Sequence, residues 1–281
     1  MGNKLPGDLQ FDPCAGALTD RRDFLKKTGT IAGLTAAGGF SPLLPREASA
    51  LSATPPSDYN LRNVGGSNYI TEVRNQGICN SCTAFAVIAA IEGAVSVKQG
   101  LTDPQIHLSE DQLFSCAGPG CDTNAWYPED ALKYCKNTGV AMYTDSGPPD
   151  GTCHTDANWF LQTISDYERL PDALAMKQWI SGTGYPQPSP VISIFVFYQD
   201  LWDFAPNSPQ QVYRHNDRGP RTEVRIGGHA VCIVGYNDHP GYWICKNSWG
   251  PDWGGVGKGF FKIAYGDCHI DDFLMYGVSV P

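Results

Sequence analysis

Two cysteines separated by two residues, Cys79 and Cys82, are the first candidates for chemistry in this 281-residue chain. They precede a run of alanines and large apolar side chains that is typical of a buried helix. A thiol at a helix start lies at the positive end of the helix dipole, near free backbone N–H groups, and its pKa is lowered. The pair alone leaves three interpretations open: a thioredoxin-type redox pair, half of a zinc site, or a structural cysteine beside a nucleophile.

The surrounding residues favour the third interpretation. The segment Val73–Ala86 closely resembles the segment around the catalytic cysteine of papain and the cathepsins. Two later segments, Gly228–Tyr236 and Tyr242–Gly250, resemble the histidine and asparagine segments of that family, in the same chain order. The spacing from Cys82 to His229 falls within the roughly 130–150 residues typical of the family. The resemblance covers nearly all of the chain from about Ser57 onward.

This resemblance implies a role for each of four residues. Cys82 would attack an amide carbonyl as a thiolate, and His229 would be its base, held largely as an ion pair with it, and would then protonate the leaving amine. Asn247 would fix the plane of the histidine ring through its side-chain oxygen. The Gln76 side chain and the Cys82 backbone N–H would stabilise the developing oxyanion.

The resemblance also points to residues that contact substrate. Trp249 would shield the hydrogen bond between histidine and asparagine from water. Phe273 follows Asp271 and Asp272, near the place where relatives set their preference two residues before the cut. A carboxylate facing that pocket would favour a basic side chain, and a solvent-facing one would not.

The chain departs from the family pattern beside the nucleophile and in one wall of the cleft. Asn80 and Thr83 stand where the family usually has Gly and Trp, so we expect the helix to pack differently there. Thr123 and Asn124 lie in Asp122–Trp126, where relatives have a glycine strand that receives the substrate backbone. Side chains with a Cβ hold a peptide farther away, so we expect weaker peptide binding with the chemistry retained.

Ten cysteines indicate an oxidising compartment with a few disulfides. Cys14 lies in an N-terminal segment that we expect to be cleaved off, as described below. The nine cysteines that remain are an odd number, which indicates at least one unpaired thiol. By resemblance Cys79 pairs with Cys121, and Cys116 pairs with Cys153. A zinc site is the competing interpretation, but the spacings do not form two tight C-x-x-C halves. A third family bridge lacks one partner. Either Cys245 substitutes for it, or four cysteines are buried thiols: Cys135, Cys232, Cys245 and Cys268.

The elements that must position these residues divide into a helical first half and a strand-rich second half. Helices are predicted over Cys82–Gln99, ended by Gly100, from the capping box at Ser109, and from Pro128 to Gly139. The predicted strands are Val191–Phe197, His229–Tyr236, Tyr242–Lys246, Gly259–Ala264 and Phe273–Val278. Tyr198–Arg225 is left unassigned. The expected fold class is α+β: a two-lobed papain-like fold with a helical N-terminal lobe, an antiparallel β-barrel-like C-terminal lobe and the cleft between them.

Composition and the first residues limit partners and location. A formal charge of −9 argues against nucleic-acid or anionic-membrane partners. Thr19–Lys26 resembles a bacterial twin-arginine export signal, and an apolar stretch after it ends near the small residues Ala48–Ala50. We therefore expect a signal peptide over residues 1–50 and one peptidase domain over 51–281, without a separate inhibitory pro-domain. The product would be periplasmic or extracellular and monomeric, with no membrane anchor, cofactor or metal.

The function expected from these residues is a cysteine-type endopeptidase that cleaves peptides or proteins through a thioester on Cys82. Two other functions stay open. One is a non-catalytic or weakly catalytic binding protein with the same fold, favoured by the lost glycines and opposed by the four catalytic residue types. The other is a thiol oxidoreductase, which requires a reversible disulfide between Cys79 and Cys82.

Overall fold

Five α-helices and nine strands make up the part of the chain that the structure describes. This computed structural model describes residues 54–121, 126–142, 151–156, 160–215 and 225–281. The helices are α1 Cys82–Gln99, α2 Glu110–Ala117, α3 Pro128–Asn137, α4 Ala173–Ser181 and α5 Gln199–Trp202. The strands are β1 Asp58–Asn60, β2 Val140–Ala141, β3 Leu161–Gln162, β4 Asp166–Arg169, β5 Val191–Tyr198, β6 Arg225–Asn237, β7 Tyr242–Lys246, β8 Phe260–Ala264 and β9 Leu274–Ser279. The α+β class is confirmed. The expected signal peptide, Thr123 and Asn124 lie outside the described residues.

Helix α1 is the core of the helical lobe and has the predicted bounds. Gly100 ends it in the left-handed conformation, with φ 66°, which a glycine adopts at little cost. The residues from Cys82 to Ser96 are all buried, because α2 and α3 cover one side of the helix and the sheet covers the other. By length and composition α1 could cross a membrane, but 83% of it is buried inside the fold, as in the core helix of a globular protein.

The two following helices begin as their sequences predict. The Ser109 side chain accepts a hydrogen bond from the backbone N–H of Gln112, 3.0 Å away, which caps α2. Pro128 occupies the first turn of α3, where its missing N–H leaves no bond unmade. α3 ends at Asn137, two residues before the predicted stop. The α2–α1–α3 packing therefore follows from local signals.

The strands of the second lobe form one antiparallel sheet in the order β4-β9-β5-β6-β7-β8, and β1 also pairs with β6. The expectation of a barrel-like lobe was wrong, since the sheet stays open within the described residues and its end strands β4 and β8 do not pair. One physical reason lies at β8. Tyr213 forms a parallel bridge with Ile263 and so occupies the free edge that closure would need.

Helices α4 and α5 and strands β1 to β4 were not predicted from the sequence, and α5 lies in the stretch that was unassigned. β4 carries polar residues on both faces and is mostly exposed, so it shows no alternation of apolar side chains. α4 had a readable signal, because Asp172 caps its start and Gly182 ends it. Its Trp179 packs flat on Gly277 of β9, where an added Cβ would lie 2.1 Å from the indole ring. That glycine lets α4 approach the sheet closely.

Candidate active site

Cys82 is the first residue of α1 and is buried, with 2% of its surface exposed. Ser81 stands at the N-cap but makes no side-chain hydrogen bond to the helix N–H groups. Its hydroxyl instead donates to the Cys79 carbonyl, 3.4 Å away. The first N–H groups of α1 are therefore not capped by the Ser81 side chain, and they can act on a negative charge formed at Cys82.

Residues 74–76 and 248–250 join the two lobes by backbone hydrogen bonds. The Gln76 N–H donates to the Ser248 carbonyl at 2.8 Å, and the Gly250 N–H donates to the Arg74 carbonyl at 3.2 Å. Between them, Asn75 and Trp249 form an antiparallel bridge. This two-stranded link, called the strap below, sets the segment before Cys82 in register with the segment that follows Asn247.

The Gln76 side chain is fully buried at the strap. Its oxygen accepts a hydrogen bond from the Ser248 hydroxyl, and its nitrogen donates to the Cys79 carbonyl at 2.9 Å. Since the amide nitrogen carries two protons, one remains for a further acceptor. Ser248 was not singled out in the sequence; its place between Asn247 and Trp249 was the available signal.

His229 lies on β6 with 1% of its surface exposed and is held by Asn247. The two side chains meet at 2.8 Å, from Nε2 to Oδ1, and the Ser248 N–H donates to the same oxygen at 2.9 Å. Two donors converging on Oδ1 fix the orientation of the amide and place the proton on Nε2. Nδ1 is buried and has no hydrogen-bond partner among the described residues.

Aromatic rings enclose the histidine. Trp249 stacks on it with ring centres 4.7 Å apart, and Phe195 and Phe197 lie at 5.8 Å each. Trp202 of α5 packs on the other rings of this wall, 4.7 Å from Trp249. Burial lowers the pKa of His229 to about 4, and the hydrogen bond that the ring donates to Asn247 offsets this only in part. A protonated ring at neutral pH therefore needs a nearby negative charge.

The first turns of α1 lie against the part of the sheet that carries the histidine and asparagine. Phe85 and Ala86 of α1 line a small cavity together with Ala230, Val231 and Asn247. Cys82 is one turn before these two α1 residues, and His229 directly precedes Ala230. The start of α1 thus lies next to the strand that carries His229 and next to Asn247, and the strap holds Gln76 beside Ser248.

A buried cluster of charges lies behind this junction and was missed in the sequence. Arg74 forms ion pairs with Glu92 and, at 2.8 Å, with Glu110. Lys246 donates to the Thr71 hydroxyl at 2.7 Å, and Thr71 donates to Glu92 at 2.6 Å. The available signals in the sequence were Glu92 inside the apolar helix α1 and Lys246 at the end of the apolar strand β7. Because Arg74 is shared with Glu92, burial prevails and raises the pKa of Glu110 to about 7.

The two disulfides implied by the family resemblance are present, Cys79–Cys121 and Cys116–Cys153. The pairing of Cys79 with Cys121 argues against a redox pair formed by Cys79 and Cys82. The substitute third bridge through Cys245 does not form. Cys135, Cys232, Cys245 and Cys268 are unpaired. Burial raises the pKa of Cys135 and of Cys232 to about 12, so neither thiol is reactive at neutral pH.

The acidic residues at the far wall do not form a charged pocket. Asp271 is buried and accepts a hydrogen bond from the Trp243 indole N–H at 2.9 Å, so it has a structural role. Asp272 is exposed and contacts His269 at 3.0 Å. Of the two alternatives given by the sequence, Asp272 therefore has the solvent-facing one, which does not favour a basic substrate side chain. Phe273 is half-buried beside them.

Thr83 shows how the helix packs without the family's tryptophan. Its hydroxyl donates to the Trp126 carbonyl at 2.6 Å. The Trp126 ring is buried against Phe114, with centres 5.7 Å apart. Trp126 is therefore a core residue of the helical lobe that anchors the end of the altered segment.

A helix-borne cysteine, a histidine oriented by an asparagine and a buried glutamine at the helix start define a hydrolase of the Cys-His-Asn type. The sequence profile of the papain family cysteine proteases matches residues 55–278. The chain belongs to this family.

Known relatives agree with this assignment. Pro-cathepsin H of Bos taurus is 32% identical over 216 residues, which is 71% of this chain and 57% of the relative. Zingipain-2 of Zingiber officinale is 31% identical over 222 residues, 75% of this chain and 92% of the relative. The matched region spans only part of several relatives, down to 38% of cathepsin F from Drosophila melanogaster.

Solved structures show the same fold. The bromelain protease of Ananas comosus, in complex with the E64 inhibitor, aligns with a TM-score of 0.60 and 26% identity over 80% of this chain and all of its own. A procathepsin B from Trypanosoma congolense aligns with a TM-score of 0.66 at 22% identity, over 85% of this chain and 82% of its own, and so supports the fold alone.

Proposed function

We propose that the protein is a cysteine-type endopeptidase with Cys82 as its nucleophile. The observation that carries the proposal is the state of the His229 ring. One ring nitrogen bonds to Asn247, and the other is buried with no hydrogen-bond partner among residues 54–121, 126–142, 151–156, 160–215 and 225–281. A buried, unpartnered nitrogen is costly in a structural histidine and is required in a catalytic base.

The steps follow from this geometry. Once its thiol is reduced, Cys82 gives its proton to Nδ1 of His229, and the resulting thiolate and imidazolium stabilise each other in a site that otherwise disfavours charge. The thiolate attacks the substrate carbonyl. The Cys82 N–H and the remaining proton of the Gln76 amide stabilise the oxyanion. His229 protonates the leaving amine, and water then hydrolyses the thioester with the histidine acting as base.

Peptides or proteins are the substrates that this chemistry fits. The two disulfides indicate an extracytoplasmic protein. We extend this to export through the twin-arginine-type segment, to the periplasm or the exterior, as a monomer. Export can be tested by fractionating cells that carry Arg21→Lys/Arg22→Lys against the unchanged chain.

The first prediction concerns the nucleophile. In the presence of a reductant, the protein should cleave a fluorogenic peptide library and should be labelled at Cys82 by an epoxide thiol inhibitor, as mapped by mass spectrometry. Cys82→Ala should abolish both signals, because the covalent step needs the thiolate. The matched control is Cys135→Ala, a buried unreactive thiol, which should keep turnover. Normal turnover in Cys82→Ala would show that Cys82 is not the nucleophile. Labelling without turnover in the unchanged protein would support a binding protein.

A further inference from the structure

A second concave site lies on the sheet lobe. It has a volume of about 320 Å³, within the range of ligand pockets. Buried apolar side chains form its floor, Ile244, Phe260 and Phe261, and the exposed Val256 also lines it. Three cations line it as well, Arg62, Lys258 and Lys262, and no carboxylate does. We call this site the basic pocket.

These three cations stand out in a chain whose net charge is −9. Among the described residues none of them forms an ion pair, whereas Lys133, Lys136 and Lys177 all have carboxylate partners. The adjoining pocket, which shares Ile244, has Asp58 as its only charged residue. Three cations without carboxylate partners among the described residues therefore lie around one concavity of an acidic molecule.

Arg62 shows how the pocket can receive an anion. Its guanidinium lies over the Phe260 ring, 3.7 Å from the centre. Stacking occupies the face of the guanidinium and leaves its edge N–H donors able to bind a carboxylate in a bidentate manner. Arg62 is exposed and has no carboxylate partner among the described residues, so an anion can reach this edge.

Lys258 lies in the turn before β8 and Lys262 lies on β8, one on each side of Phe260 in sequence. Lys258 has φ 50°, a left-handed conformation that glycine adopts at lower cost, between Gly257 and Gly259. Lys262 has its ammonium 4.5 Å from the centre of the Tyr242 ring. Two separated cations and an apolar floor fit a ligand with more than one negative charge and an apolar body between them.

We propose that the basic pocket binds an acidic peptide segment in which carboxylates flank a large apolar side chain. The carboxylates pair with Arg62 and the two lysines, and the apolar side chain lies on the Phe260 and Ile244 floor. A small inorganic anion would use the cations but leave the floor empty. The site is separate from Cys82, so its binding does not depend on the peptidase chemistry.

The test is fluorescence anisotropy of a labelled Glu-Leu-Phe-Glu peptide, added to the full chain carrying Cys82→Ala so that it is not cut. Binding should be about tenfold tighter than for the matched Gln-Leu-Phe-Gln peptide and should weaken as salt is raised. Equal affinity for the two peptides overturns the proposal without involving any pocket variant, and leaves the peptidase assignment standing.

Two double variants locate the site. Lys258→Gln/Lys262→Gln should weaken binding of the acidic peptide by about five- to tenfold, since each exposed charge pair has a modest effect. Lys133→Gln/Lys136→Gln, which removes the same charge from α3, should leave it unchanged. An equal loss in both would mean that only net charge matters, and would overturn the proposal. Displacement of the peptide by inorganic phosphate at equal concentration would also overturn it, because the floor would then contribute nothing.

Discussion

His229 and Cys82 should each change the proton affinity of the other. Burial, offset in part by the hydrogen bond to Asn247, lowers the pKa of His229 to about 4, so in Cys82→Ala the ring should be neutral at all pH values above about 5. With the thiolate present, the ring should keep its proton to clearly higher pH. Titration of labelled histidine rings by NMR, in the two proteins, measures this difference. Identical curves would show that no ion pair forms.

The sign of the stability effect follows from the same pKa. The folded-state pKa of His229 lies below the usual histidine value near 6.5. The contribution of the neutral ring to folding stability is therefore fully present above about pH 6.5 and is lost as the pH falls toward 4. His229 therefore favours unfolding in acid, between about pH 6.5 and 4.

Gln76 should act as an oxyanion donor and not only as a structural amide. Gln76→Ala should lower kcat by about 10²-fold with little change in KM, the usual effect of losing one such donor. Ser248→Ala is the control, since it removes the bond to the Gln76 oxygen but leaves the amide protons in place. Steady-state kinetics of both variants separates the two roles. Equal losses would assign Gln76 to the strap alone.

Sequence motifs predicted the types of residue at the site but not their supports. Cys82, His229, Asn247 and Gln76 stand in segments whose local pattern carries the information. The contacts of Ser248 with Gln76 and of Thr83 with Trp126 join positions far apart in the chain, and no local pattern encodes such pairs. The aromatic wall was missed for the same reason, apart from Trp249.

At the scale of elements, the buried charge cluster connects α1 and α2 with the strap and with β7. Glu110 has a raised pKa of about 7, so the folded protein binds a proton there that the unfolded chain has released. Its contribution to stability is full below about pH 4.5 and is lost as pH rises through about 7. Glu110→Gln should flatten the pH dependence of the free energy of unfolding in this window, as measured by urea denaturation.

Glu129→Gln is the matched control for that experiment, because Glu129 is an exposed carboxylate that pairs with Lys133 on α3. It should leave the slope unchanged. A slope that stays the same in Glu110→Gln would mean that Glu110 is ionised throughout, with Arg74 outweighing burial.

Elements with strong local signals were predictable, and those defined by pairing were not. α1 has both its apolar run and its Gly100 stop in the sequence, and the central strands β5 and β7 are rich in β-branched and aromatic residues. β1 is three residues long and exists because β6 pairs with it. The sequence likewise could not predict that the sheet stays open, since closure into a barrel depends on whether the two edge strands pair with each other.

At the scale of the whole molecule, the two disulfides provide a matched pair. They close loops of similar sequence separation, 42 and 37 residues, so loss of either should cost about 3–4 kcal/mol of stability. Only Cys79–Cys121 also touches the site, because the Cys79 carbonyl accepts the Gln76 amide. The Cys79→Ser/Cys121→Ser variant should therefore lose kcat, and Cys116→Ser/Cys153→Ser should keep it.

Thermal denaturation and steady-state kinetics of the two double variants, at a temperature where both are folded, make this comparison. Equal kcat in the two would refute the idea that the Cys79–Cys121 bridge completes the site. A selective loss would also predict that the protein with both bridges reduced is poorly active.

The pairing of β1 with β6 has a consequence for how the chain is made. The ribosome releases β1 first, then the whole helical lobe, and only much later the strand that β1 must join. Strand β1 must stay unpaired while α1 to α3 fold. It can pair with β6 only after the helical lobe has formed. Contacts this distant in sequence slow folding. Translation stalled before β6 should leave residues 58–60 open to proteolysis, while a chain extended past β7 should protect them.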